Sequence, residues 1–381
     1  MDMQTFTYHR EAGWGLEHFP AVDSDRTLVL IFGASSFLQN PQPIEELVKA
    51  YPTSVIAGCS TSGEIFGTEI SDDSLAVAVV SFDSSRLKLA TTEVKETSGS
   101  RAAGQQLSEA LMADDLRGVL VLSDGLSVNG SELVQGINSI LPDNIVVTGG
   151  LAGDGDRFER TWIIRDGRPM GGVVSAVGIY GDAVRIGHGS MGGWDIFGPE
   201  RCVTHSEGNV LYELDGQPAL ELYKRYLGDL ADGLPATALR FPLALRDGDD
   251  EAKSVVRTIL AINEDEQSMT FAGDVPEGAR AQLMRANFDR LIDGAAGAAM
   301  LTRESCPDQL GPVLAIAISC VGRRLVLGEA TEEEIESTID ALPEGTQQVG
   351  FYSYGEISPY TSGHCDLHNQ TMTLTTISEV A

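Results

Sequence analysis

Six histidines and five cysteines are the side chains of this sequence best suited to metal or nucleophilic chemistry. Cys59 sits in the run Gly58-Cys59-Ser60-Thr61-Ser62-Gly63-Glu64-Ile65. A thiolate there would be a nucleophile, yet no histidine or basic residue lies near it in sequence, so a small buried thiol is the plainer expectation. Cys202 and His205, and again Cys365 and His368, form C-x2-H pairs. A fold that joined the two pairs would supply a tetrahedral zinc site, although their spacing departs from the usual zinc patterns. The sequence holds no G-x4-G-K-[ST], no H-E-x-x-H and no G-x-S-x-G. Nucleotide P-loop, zinc-protease and serine-hydrolase chemistry therefore lack their signatures. Gly149-Gly150-Leu151-Ala152-Gly153-Asp154-Gly155 is glycine-rich, but its acidic residue disfavours a pyrophosphate. No residue is assigned a catalytic role, and the chain is expected not to be an enzyme.

The run beginning at Gly58 has a second chemical meaning. Two glycines bracketing four small or hydroxyl residues, after an apolar stretch, let backbone N–H groups face a crevice. Gly58, Cys59, Ser60 and Gly63 are accordingly candidates for a ligand-facing turn. Gly350-Phe351-Tyr352-Ser353-Tyr354-Gly355-Glu356-Ile357 repeats the pattern with four identities in eight. Gly350, Tyr352, Tyr354 and Gly355 join the same set. The competing expectation is a tight turn that only packs strands, and the bulky Phe351, Tyr352 and Tyr354 favour it.

The surrounding pattern says what must hold these turns. Thr27–Phe32 reads as a buried strand, residues 43–51 as a helix, and residues 55–57 as a second strand. Two further strands, 74–82 and 87–94, follow. The order then recurs: from 28 to 58 and from 119 to 149 the spacing is 30 residues, with an offset of 91. An internal duplication is the natural reading. A third echo, strand 313–319, helix 332–342 and strand 348–354, lies near the C-terminus. Between them, residues 219–227 read as a helix, 254–263 and 268–273 as a hairpin, and 278–303 as one long helix. The expected class is mixed α/β (α+β), two related halves built from repeated strand-helix-strand-glycine turn-strand units, with a boundary near residues 193–199.

At this point the residues resemble a known family. Gly58–Ile65 resembles the glycine turn of FIST N domains. Leu211-Tyr212-Glu213-Leu214-Asp215-Gly216, with Ala219-Leu220-Glu221-Leu222-Tyr223, resembles the start of the FIST C domain. Gly350–Ile357 and His368-Asn369-Gln370-Thr371-Met372-Thr373 resemble its end. The resemblance divides the chain into an N-terminal segment 1–24, a FIST N-like domain 25–197 and a FIST C-like domain 198–381. It implies an intracellular sensory module. With no signalling output attached, the chain resembles stand-alone FIST proteins, some of which are nitric-oxide-sensing haemoproteins that regulate a partner histidine kinase. Gly187-His188-Gly189-Ser190-Met191-Gly192-Gly193-Trp194 resembles a segment of that subgroup. The implied cofactor is haem b. His188, at a strand end between glycines, is then the expected iron ligand, with Met191 and Trp194 lining the pocket and His364 as second choice. The alternative is a FIST module that binds a small metabolite such as an amino acid, without haem.

Composition sets outer limits. The net charge of −30 repels phosphate backbones and anionic lipid, which argues against nucleic-acid binding and fits a basic protein partner or a salt-rich cytoplasm, the competing reading being that it only confers solubility. No apolar stretch approaches the roughly 20 residues of a membrane span. Five sparse cysteines read as reduced thiols in the cytoplasm. The oligomeric state stays open, a homodimer included.

Overall fold

Thr27–Ala34 is buried at all eight positions, the signature of a strand covered on both faces. It runs parallel to Val55–Thr61, and helix α1 (Gln42–Ala50) makes the crossover. Ser74–Ser81 returns antiparallel along the other side of Thr27–Ala34. Of residues 1–24, Asp2–His9 is a strand that pairs along its whole length with Ser74–Ser81. This computed structural model describes residues 1–246, 254–309, 311–359 and 364–380.

The unit recurs as the 91-residue offset implies. Arg86–Glu93 is followed by α2 (Ser100–Leu111), Leu116–Ser123, α3 (Gly130–Asn138) and Val146–Leu151. Leu116–Ser123 and Val146–Leu151 are parallel. Val173–Tyr180 then packs antiparallel between Leu116–Ser123 and Arg86–Glu93. A third unit opens with Val184–Met191 and is interrupted by an inserted sheet carrying α4 (Ala219–Leu227). It resumes with α5 (Phe288–Ser305), Leu314–Cys320, α6 (Val321–Leu327), α7 (Thr331–Ala341) and Gln347–Ser353. Met372–Glu379 closes it, antiparallel to both Leu314–Cys320 and Val184–Met191. The mixed α/β architecture of strand-helix-strand units thus stands, but as three units, two before the insertion and one around it, in place of two halves.

Each unit sends a hairpin to its neighbour. Glu64–Phe66 of the first unit pairs with Gln347–Ser353 of the third. Gly355–Pro359 of the third pairs with Val146–Leu151 of the second. Ile163–Arg165 of the second pairs with Val55–Thr61 of the first. The exchange is cyclic, and each hairpin covers an edge that would otherwise expose unpaired backbone groups. The inner faces meet in one core, where Phe32, Leu120, Val177, Ile318 and Phe351 are all buried. Phe32 and Phe351, from different units, lie 4.9 Å apart. Helices cover the outer faces.

Two expectations change. Residues 278–303 are not one helix: Arg280–Arg285 is a strand, and α5 begins only after Asn287, whose side chain caps it at the Arg290 N–H. Arg280, Ala281, Gln282 and Leu283 alternate polar with apolar, a short period of two that the helical count obscured. Residues 254–263 form two strands, Ser254–Arg257 and Ile259–Asn263, of which the second makes the hairpin with Ser268–Phe271.

Candidate functional site

The hairpin exchange gathers three turns at one end of the parallel strands. Ser62 N–H donates to the Tyr352 carbonyl (2.8 Å), and Tyr352 N–H to that of Gly63 (2.9 Å). Gly153 N–H donates to Ser60 O (3.0 Å), and Tyr354 N–H to Leu151 O (3.1 Å). Three segments far apart in sequence thereby fix one another. At Gly63 the backbone φ is +131°, and a Cβ there would sit 2.5 Å from an Arg324 nitrogen. Glycine is required both for the conformation and for the approach of that guanidinium.

Beside these turns, where all three units meet, lies a cavity of about 830 Å³. Arg324, on α6, donates to both Asp72 carboxylate oxygens (2.8 Å each) and to Ser62 O (2.6 Å). Its guanidinium lies over the Tyr352 ring. This hydrogen bonding holds Asp72 below the usual carboxylate range. Glu64 is fully buried at the cavity floor. Burial pushes its pKa up to about 7, against the pull of hydrogen bonds from Thr61 and Ser74. The lining carries six carboxyl groups, of Glu64, Asp72, Asp73, Asp156, Glu329 and Glu332, and two guanidinium groups, of Arg157 and Arg324. Asp72 neutralises Arg324, so the remaining wall is acidic with Arg157 set in it. Such a site attracts an ammonium group and offers one anchor for a carboxylate.

Of the expected turn residues, Gly63 borders this cavity, next to lining residue Ser62. Gly58, Cys59 and Ser60 lie inside Val55–Thr61, and Gly350 inside Gln347–Ser353, rather than in turns. A Cβ on Gly58 or Gly350 would strike the Ile31 or Ala317 carbonyl oxygen of the adjacent strand (2.2 and 1.8 Å). Ser60 Oγ accepts from Trp162 N–H (3.0 Å). Cys59 is buried in the shared core, and burial raises its thiol well above the ordinary value, so it is no thiolate nucleophile. Tyr352 donates to Glu334 (2.8 Å) beneath Arg324. Tyr354 bonds Asp154 and stacks on Phe158 at 4.5 Å. Gly355 packs against Leu367.

His188 and Met191 share a second cavity, of about 340 Å³, with His368. The His188 ring has no hydrogen-bond partner among the described residues, and burial keeps it below the usual histidine range. It is therefore neutral at pH 7, the form that ligates metal. Trp194 is elsewhere: its indole donates to Gln370 O (2.7 Å) in a cluster with Leu291 and Met284. His364 is exposed and meets Asp143 at 3.0 Å. The C-x2-H pairs stay apart, since His205 stacks on Tyr212 and the Cys365 thiol meets Asn138 (3.2 Å). Among the described residues, no three His, Cys, Asp or Glu side chains gather as metal ligands.

Sequence reasoning missed Asp72, Asp73, Arg157 and Arg324. One signal is present: Arg323-Arg324 is a basic pair three residues past a buried apolar run, in a chain with only 26 basic residues.

Comparison with known proteins gives two family matches. The FIST N domain matches residues 27–217 and the FIST C domain residues 219–359. No curated protein is significantly similar to the chain. Among solved structures, a cyanuric acid hydrolase from A. caulinodans is similar over 93% of this chain and 90% of its own. The identity is 11% and the TM-score 0.34, too distant to inform function.

Proposed function

The chain belongs to the FIST family, whose domains are small-ligand sensing domains of signalling proteins, and from that premise we propose that it senses a small zwitterion such as an amino acid in the 830 Å³ cavity. One observation carries this: six carboxyl groups and two guanidiniums line a cavity built on the locked glycine turn. The acidic wall would take the ammonium group and Arg157 the carboxylate. The cavity joins Ser62 and Glu64 of the first unit to α6 of the third, so a ligand spanning it would bias the contact between units. The five free cysteines agree with a cytoplasmic setting, and no helix among the described residues is long and apolar enough to cross a membrane. A thermal-shift panel of the twenty amino acids tests the reading. At least one should raise the melting temperature, and Arg157→Gln should remove the shift while leaving the unliganded value in place. A panel without any shift contradicts it.

A second reading has one observation in its favour, the neutral, unpartnered His188 ring facing a cavity with the Met191 thioether. These donors fit an iron, although Glu304, Ser190 and Ser305 make the lining more polar than a haem slot requires. Haem b would supply an iron that takes nitric oxide. His188 would hold it, and the response would pass to a histidine kinase by protein contact. The protein reconstituted with haem should then show a Soret band that His188→Ala abolishes or shifts. An unchanged spectrum in that variant excludes His188.

A further inference from the structure

The polar cavity does not end at its acidic wall. Asp156, Val321 and Leu325 line it and also line a second, apolar cavity of about 370 Å³. This annexe lies between the third unit and the inserted sheet, walled by Leu239 and Ile259 on one side and Tyr354 and Gly322 on the other. Its rim carries Phe158, Leu260 and Leu325, large apolar side chains left exposed. Single exposed apolar residues need no explanation, but three around one apolar hollow do. Thr258 supplies an independent observation. It lines the annexe and is 4% exposed, yet its hydroxyl has no hydrogen-bond partner among the described residues. A buried hydroxyl in an apolar wall is costly unless a ligand atom or water meets it.

We infer that the sensed molecule is an amino acid with a large apolar side chain, its head in the acidic cavity and its side chain in the annexe. The inference rests on the zwitterion reading above and adds selectivity to it. Asp156, at the junction, is placed to meet the ammonium group at the point where the apolar part turns inward. Val321 and Leu325 of α6 form the apolar side of that junction. A side chain seated there also touches Leu239 and Ile259 of the inserted sheet region, which gives the FIST C insertion a part in recognition. An aromatic side chain would lie near the Phe158–Tyr354 stack.

The test is calorimetric titration of the full chain with L-phenylalanine, L-serine and glycine. L-Phenylalanine should bind about tenfold or more tighter than either small amino acid, the ratio expected from burying one large apolar side chain. Ala236→Trp, at an exposed position on the annexe, should bring L-phenylalanine down to the level of L-serine and leave L-serine within about twofold of the parent. Leu260→Asp, also at the rim, provides the same comparison should the tryptophan variant not fold. If L-serine and L-phenylalanine bind alike, or the rim variants leave their ratio intact, the annexe is not used, while the zwitterion reading survives. If no amino acid binds at all, both fall.

Discussion

Two buried glutamates act as titrating groups at neutral pH. Burial raises Glu64 to about 7 and Glu356 to about 8, the latter despite hydrogen bonds from Ser353 and Thr371. Below pH 7 Glu64 is largely protonated and gives an ammonium ligand no counter-charge. Affinity for a zwitterion should therefore rise as pH passes through about 7, and Glu64→Gln should flatten that step in a titration series. Stability runs the other way. A carboxyl whose folded pKa lies above its unfolded value keeps a proton that the unfolded chain has lost, so stability falls as pH rises between the two values. Burial lowers His188 and His368, which makes stability rise with pH, but only below their unfolded value of 6.5. From pH 6.5 to 8 the glutamates act alone among these groups. The melting temperature should decline over that window, and less steeply in Glu356→Gln. A parent protein whose stability climbs over the same window would contradict the protonated burial of these carboxyls.

Local sequence conveys elements well and their partners poorly. The G-x4-G-E-I repeat marks equivalent places in the first and third units: each begins inside the second parallel strand and ends in the strand that crosses to a neighbouring unit. The glycines beside His188 were legible as unusual but not for their cause. Gly187 and Gly189 face α5, where a Cβ would lie 2.3 Å from Thr302 O and 2.0 Å from Ala298 O. They let a helix backbone approach the edge strand, a reason that requires knowing which helix lies there. Gly189→Val should destabilise by about 1–3 kcal/mol through overpacking, as read by urea unfolding, with Ser190→Ala near neutral as a control. A Gly189→Val protein as stable as its parent would mean that α5 does not press on this strand. The acidic cavity was illegible for the same reason. Arg324 and Asp72 form its firmest ion pair across 252 residues of sequence, and no periodicity announces such a meeting.

At the scale of the molecule, three units trade hairpins around one core, and the inserted sheet packs on the second and third, through Asn129–Asp274 and through Arg257 donating to the Leu367 carbonyl. The cyclic exchange explains why turns from residues 60–63, 151–155 and 352–354 can lock one another. It also explains how a ligand at one of them could alter the fit of units whose elements lie far apart in the chain. The two cavities make separate claims on the sensory role, and they are lined by different peptides. Hydrogen–deuterium exchange of the full chain with and without saturating L-phenylalanine separates them. If the acidic cavity and its annexe form the site, protection should rise in residues 61–73, 154–158 and 321–332. Protection confined to residues 186–192 and 368–371, around His188, or no change anywhere, would contradict the assignment.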